Sequence, residues 1–197
     1  MTLTKTELRT QEHKLTQLQK YLPTLQLKKM LLQMEVQAAR AEFEEQQARF
    51  TAEKEQAVSY TSLLTSSDAT FLFPAIKPKQ IEKKHENIAG VDLPILERIT
   101  FEPNDNLLFD SPVWFDAAIA NLRALITAGE KVAVAEERTK ALEKELREVS
   151  IRVNLFEKKL IPEAKETIRK IKIFLGDLQL AAICQAKLAK KKIEAAR

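Results

Sequence analysis

The sequence predicts a mainly α-helical protein: a long antiparallel two-helix coiled coil formed by the N- and C-terminal helices, with a small middle region containing a short β-hairpin. Three observations carry this expectation. Apolar residues recur at alternating three- and four-residue spacing through both flanks. The 197 residues include only three glycines, too few for the turns of a mixed α/β domain. Five of the seven prolines (Pro74, Pro78, Pro94, Pro103, Pro112) lie between Phe71 and Phe115. The expected divisions are therefore residues 1–68, an N-terminal coiled-coil helix; 69–111, the middle region; and 112–197, a C-terminal coiled-coil helix.

The first helix opens on a capping signal. Thr4 has Glu7 three residues later, so hydroxyl and carboxylate can each satisfy the other's backbone N–H. A ladder follows: Leu8, Gln11, Leu15, Leu18, Leu22, Leu25, Lys29, Leu32, Val36, Ala39, Phe43, Gln46, Phe50, Glu53, Ala57, Tyr60, Leu64. Thirteen of these seventeen positions are apolar, a persistence that favours a coiled coil over a helix lying on a globular core. Fraying is expected near Thr65–Asp68, where short polar side chains compete for backbone hydrogen bonds.

The stretch Phe71–Phe115 holds six of the twelve aromatic residues. From Leu93 the chain alternates, placing Leu93, Ile95, Glu97, Ile99 and Phe101 on one side, with Glu97 a flaw in the pattern. Ile81–Ile88 pairs with it through a turn near Asn87-Ile88-Ala89-Gly90, and Pro94 marks an edge strand. A lone hairpin is marginal in water, so it is expected to pack on the helices or on another subunit.

The last flank opens at Ser111-Pro112, an N-cap followed by proline at the first helical position. Its ladder runs Leu142, Leu146, Val149, Val153, Phe156, Leu160, then resumes as Ile168, Ile171, Leu175, Leu178, Ala182. The interval from Leu160 to Ile171, with Ala164 and Ile168 between, amounts to a stutter, a four-residue insertion that locally unwinds a left-handed supercoil. Pro162 sits in that interval, so a bend there disturbs the seam least. Pro23 stands at a similar level on the other helix if the two run antiparallel. At about 1.5 Å per residue the helices span roughly 95 and 120 Å. Stripes that long need a partner, and the simplest is each other.

Other features exclude more than they assign. The net charge of +4 is uneven: +1 over residues 1–66, −3 over 67–112 and +6 over 113–197. Such a basic excess suits nucleic acid, anionic lipid or an acidic protein surface, without choosing among them. One cysteine, Cys184, precludes an internal disulfide and fits a reducing compartment. No run approaches the 18 or more apolar residues of a membrane span, and MTLTKTELRT lacks a signal core, so a cytoplasmic protein without membrane insertion is expected, peripheral if part of a membrane complex.

No phosphate-binding GxxxxGK[ST] loop occurs. His13 and His85 are far apart in the chain and read as solvated residues; Glu42, Glu44 and Glu45 read as a solvated helix face. Cys184, beside Ala182 and Ile183, reads as a small core residue, and Phe71–Phe73 as packing under a loop. No catalytic residue, cofactor or metal is expected. Lys187, Lys190, Lys191, Lys192 and Arg197 are opposed only by Glu194. They either complement the helix macrodipole or form a charged tip for an acidic protein surface or nucleic acid. Nucleic acid is the less favoured partner, since no aromatic residues interleave the lysines.

Three segments carry a resemblance. TKTEL (Thr4–Leu8), NIAGVDLP (Asn87–Pro94) and RVNLFEKKLIPEAKETIRKI (Arg152–Ile171) are similar, in this order, to segments of the D subunits of V-type and A-type rotary ATPases, the central-stalk shaft. The basic KLAKKK (Lys187–Lys192) fits that family's finish. The chain departs from the pattern twice. Lys28-Lys29-Met30-Leu31-Leu32-Gln33, with Pro23 upstream, replaces a basic run, and apolar LQLAAICQA (Leu178–Ala186) replaces an acidic stretch.

The resemblance implies a non-catalytic rotor. Its paired helices enter a hexamer of A and B subunits. Its middle region lies near the F subunit and the C/d-type subunit that caps the membrane ring. ATP hydrolysis or synthesis is then coupled to H+ or Na+ transport by rotation. The candidate residues are the seam (Leu15, Leu18, Leu22, Leu25, Leu32, Val36, Phe43, Val149, Val153, Phe156, Leu160, Ile171, Leu175, Leu178), the bend (Pro162), and partner contacts at Lys187, Lys190, Lys191, Lys192, Asn87, Gly90 and Pro94. The rival readings are a coiled-coil scaffold or tether, and a basic-tailed nucleic-acid-binding protein.

Overall fold

The structure, a computed structural model, describes residues 3–59, 72–102 and 114–195. The elements are α1 (Lys5–Ser59), α2 (Leu72–Ile76), β1 (Pro78–Ile88), β2 (Val91–Phe101), α3 (Phe115–Leu155), a π-helical turn (Phe156–Leu160) and α4 (Ile161–Ala195). The expected cap at Ser111-Pro112 and the expected fraying at Thr65–Asp68 lie outside the described residues. Mainly helical, with an N-terminal helix packed on a C-terminal one and a two-stranded hairpin between them in sequence, the chain has the fold class its periodicity predicts. It forms two compact units, Met30–Arg147 and Met1–Lys29 with Glu148–Arg197.

In the first of these, α1 and α3 pack antiparallel. The Thr139 hydroxyl donates to the Ala39 carbonyl at 3.3 Å, Arg40 pairs with Glu143 at 2.5 Å, and Arg138 with Glu42 at 3.1 Å. From Arg40–Glu143 through Glu42–Arg138 to Phe50 beside Gly129, numbers rise along α1 as they fall along α3. Leu32, Val36 and Ala39 are buried from one helix, and Val134, Ala135 and Leu142 from the other. At Gly129 the backbone passes the Phe50 ring closely enough that a Cβ would stand 3.4 Å from its edge, in van der Waals contact.

The hairpin turns through Ala89 and Gly90, with φ of 54° and 82°. Two consecutive left-handed residues make the two-residue turn whose twist matches the strands it joins. Gly90 adopts this conformation freely; Ala89 does so at a cost. Asn87 braces the turn. Its amide nitrogen donates to Asp92 Oδ1 at 2.7 Å, and its oxygen accepts the Gly90 N–H at 3.1 Å.

The strand register explains the flaw at Glu97. Glu82 pairs with Arg98 and Lys83 with Leu96, so Glu97 is left over as a bulge. An extra residue flips the parity of the side chains beyond it, so Leu93–Ile95 and Ile99–Phe101 do not continue one face as the alternation suggested. Consecutive Leu93 and Pro94 are both buried. The hairpin lies against α3, with Lys83 of β1 reaching Glu137 at 3.3 Å.

Leu72 and Ala75 of α2 close a small core with Phe115, Ala118 and Ile119, joined by Trp114. The expectation for Phe71–Phe73 needs correction: Phe73 is exposed, Leu72 is the buried residue, and Phe71 lies outside the described residues. A five-residue helix is too short to show which of its residues faces inward.

Arg123 ties this core together. Its Nε and Nη2 donate to the Ala75 carbonyl at 3.0 and 2.7 Å, and Nη2 also donates to the Glu102 carbonyl at 2.8 Å. The guanidinium lies 5.1 Å from the Phe101 ring centroid.

In the second unit, Leu18 of α1 and Val149, Val153, Ile161, Ala164, Ile168 and Ile171 of α3 and α4 are buried. Lys172 pairs with Glu12 at 2.8 Å, which again fixes the antiparallel sense. The Thr4 hydroxyl accepts the Glu7 N–H at 3.2 Å. The reciprocal half of the expected box is not formed; the Glu7 carboxylate accepts from the Gln11 amide at 2.8 Å.

The phase change near Pro162 takes a different form from the expected stutter. Val149 and Ile171, both fully buried, are separated by 22 residues, three heptads and one more. The π-helical turn takes up the extra residue, with the Ile161 N–H bonding back to the Phe156 carbonyl. The shift is therefore absorbed over five residues rather than spread along an unwound supercoil. Helix α4 follows at Ile161 without a break, with Pro162 beside the point where the π-helical turn already interrupts the regular hydrogen-bond ladder. With Glu12–Lys172 as the register mark, Pro162 faces the level of Leu22 and Pro23.

Candidate partner-binding surfaces

The described ladder residues of α1 are buried or half-buried. Leu18, Leu32 and Val36 are buried; Leu15, Leu22, Leu25 and Phe43 are half-buried, as are Phe156, Leu160 and Leu175 on the facing side. Leu178 is not covered; 51% of it is exposed. Its level coincides with the first turn of α1, which begins at Lys5, so α4 runs out of partner there. The same cause overturns the core reading of Cys184, which is exposed. Ile161, at the edge of the π-helical turn, takes a buried place the heptad count did not assign to it.

The lysine group is presented to solvent. Lys187, Lys190, Lys191 and Lys192 are all exposed, and Lys190 makes a loose 3.8 Å pair with Glu194. On the same helix, hydrogen bonding and the charge of Lys170 hold the Glu166 carboxyl below the usual carboxylate range. His13 and His85 are exposed, as expected; the His13 ring lies 3.0 Å from the Gln17 amide.

At the hairpin, Asn87 is exposed but both ends of its amide are engaged within the turn, and Gly90 supplies the turn's backbone. Pro94 is buried. It lines a cleft of about 190 Å³ together with Ile95, Leu96, Lys131, Glu42 and Arg138. Arg138 Nε is buried there without an acceptor. The cleft brings together one ion pair and apolar walls, with no nucleophile beside a base. Among the described residues no group of three or more His, Cys, Asp or Glu is placed to hold a metal ion, and no helix is long and apolar enough to cross a membrane.

Sequence reasoning missed Arg123, Ile161 and Leu72. Arg123 had no signal, since a basic residue among Leu122, Ala124 and Leu125 resembles any charged helix position. Ile161 had one: two adjacent apolar residues, Leu160 and Ile161, where a heptad needs one.

The family profile for the ATP synthase D subunit matches residues 7–191. The chain belongs to the ATP synthase D-subunit family. It is 42% identical over 193 residues to the D subunit of the V-type ATP synthase of Chlamydia pneumoniae, covering 98% of this chain and 92% of the relative. It is 40% identical over 195 residues to that of Chlamydia felis, covering 98% and 93%. It is 42% identical over 193 residues to that of Chlamydia muridarum, covering 98% and 95%.

The three segments that resemble this family fall on the three structural punctuation marks: the cap of α1, the hairpin turn and the π-helical turn. A member of this family works within an ATPase complex, so the surfaces that matter are those other subunits cover.

Proposed function

We propose that this chain is the central rotor shaft of a V-type or A-type ATPase. It couples ATP hydrolysis or synthesis in a hexamer of A and B subunits to H+ or Na+ transport through the membrane ring by rotation. The chain itself is non-catalytic. It is peripheral to the membrane on the cytoplasmic side, with the F subunit and the ring-capping C/d-type subunit as its further partners.

The observation that carries this reading is the antiparallel helix pairing with a laddered interior. Layers that interlock resist twisting, which is what torque transmission demands. The outward faces suit a bearing. Mixed charges such as Arg40–Glu143, Arg49–Glu45 and Lys140–Glu136 are exposed, and exposed ion pairs contribute weak, screened contacts rather than adhesion. The lysines at positions 187–192 and the hairpin turn are the candidate contacts with other subunits.

Gentle native purification tests the reading. A shaft brings down nucleotide-binding subunits whose ATPase activity drives ion uptake in vesicles. A scaffold or tether brings down neither, and a nucleic-acid binder shows steeply salt-dependent binding to duplex or single strands. The π-helical turn with Pro162 is the proposed source of the shaft's eccentricity. Pro162→Ala is expected to change ATP-driven transport per ATP hydrolysed while leaving assembly intact. Unchanged coupling in an assembled complex refutes this role.

A further inference from the structure

Arg138 of α3 has one hydrogen-bonding edge in use and one idle. Its Nη1 pairs with Glu42 of α1 at 3.1 Å. That leaves the edge made by Nε and Nη2, a fork that can hold a carboxylate through two parallel bonds. No described residue accepts from this edge, and Nε is buried. A buried donor without an acceptor is costly, so its presence asks what supplies the acceptor. The side chain as a whole keeps 21% of its surface, which shields the fork from bulk water without sealing it.

Arg138 lines the cleft of about 190 Å³ formed by α1, β2 and α3, all within the unit Met30–Arg147. Three lining side chains are charged: Glu42, Lys131 and Arg138. With Glu42 engaged by Arg138, the charge of Lys131 is unmatched, and Lys131 pairs with no described residue. Pro94, Ile95, Leu96, Val134 and Ala135 supply apolar wall. One surplus positive charge beside apolar wall selects a monoanion with a hydrocarbon stem. A water molecule would satisfy Nε and leave the charge; a phosphate group, at about −1.5 to −2, would overshoot it. The volume lies below the roughly 300–1,000 Å³ of sites for drug-sized ligands and suits a group the size of a side chain.

We propose that this cleft is a binding subsite for a single carboxylate on a short aliphatic stem. The Nε–Nη2 fork of Arg138 takes the two oxygens, Lys131 balances the charge, and the stem lies along Pro94–Leu96. Pro94 then serves as wall rather than as an outward contact. Two sources carry this chemistry: a free short-chain carboxylate, and an aspartate or glutamate side chain of a neighbouring subunit. The subsite does not depend on the rotor reading.

The test titrates the isotopically labelled full chain with butanoate at neutral pH and constant ionic strength, and follows the Arg138 Nε–H resonance. That resonance is assigned by its loss in Arg138→Lys. Butanamide and chloride are the controls. Butanoate is expected to give a saturable shift, half-complete at a concentration on the order of 10 mM, as befits a ligand of so few atoms. The controls are expected to give none. Lys131 is exposed, so Lys131→Gln is expected to leave helical content and melting unchanged while raising the half-saturating concentration at least about threefold. Arg138→Lys keeps the charge without the fork and is expected to abolish the saturable response at the Leu96 and Ala135 amides.

No shift by about 100 mM butanoate, tenfold above the expected midpoint, overturns the subsite. So does an equal response to chloride or butanamide, which leaves an unselective ion or a water at Nε, and so does an unchanged midpoint in Lys131→Gln. Where butanoate binds as expected, native purification of the Lys131→Gln complex separates the sources. Reduced recovery of neighbouring subunits supports an acidic side chain as the occupant, and undiminished recovery supports a free carboxylate.

Discussion

Arg123→Ala is the substitution with the most to lose outside the helix seams. The guanidinium makes three hydrogen bonds to two backbone carbonyls, at 2.7–3.0 Å, and faces the Phe101 ring. A hydrogen bond from a charged group contributes about 1.5–3 kcal/mol, and a cation over an aromatic ring about 0.5–1 kcal/mol at an exposed site. The site is half-buried, so water replaces part of what is removed, and a net loss of about 2–3 kcal/mol is expected. Trp114, the sole tryptophan, packs against the same core and reports its unfolding by fluorescence. With a urea slope of about 2 kcal/mol/M, the fluorescence midpoint falls by about 1–1.5 M. Arg123→Lys keeps the charge but not the fork, and recovers less than half of the loss. A shift below about 0.3 M, or full recovery with lysine, would refute the argument that this side chain fastens α2 and the end of β2 to α3.

Three further outcomes are expected. Ile171→Ala removes a fully buried side chain and costs about 2–5 kcal/mol, read as a lower midpoint in helical circular dichroism. Ala89→Gly relieves a left-handed alanine in the hairpin turn and raises stability by about 1 kcal/mol, visible as slower amide exchange in β1 and β2. Gly176→Ala, with open space where its methyl would go, raises the helicity of α4 by about 0.8–1 kcal/mol in the free chain.

Much of the architecture was legible because one helix facing one partner writes a simple signal. Every described ladder position of α1, from Leu8 to Ala57, is buried or half-buried. The pattern faded where that condition failed. Over the first half of α3 the helix meets α2 as well as α1, so inward positions such as Ala118, Ile119, Val134 and Ala135 spread over a broad arc and show no stripe. It misleads past Leu175, where apolar spacing continues beyond the level at which α1 begins; Leu178 and Cys184 read as inward from that spacing and are exposed. The hairpin was legible at its turn and obscure at Glu97, since a bulge breaks the period-two rule by which strands are read. Arg123 was invisible because its acceptors are backbone carbonyls, which any sequence provides.

The π-helical turn has a consequence for how length is measured in this protein. Two helices lying side by side need not contain equal numbers of residues if one of them stores a surplus residue in a widened coil. Phe156–Leu160 is such a store, and its middle residues Glu157, Lys158 and Lys159 all face outward. Removing a single codon there would let the chain tighten into an ordinary spiral, with Val149 and Ile171 still on the same edge. Removing one a few positions away would swing everything downstream by about a quarter turn. In this chain the tolerance for a lost residue has an address.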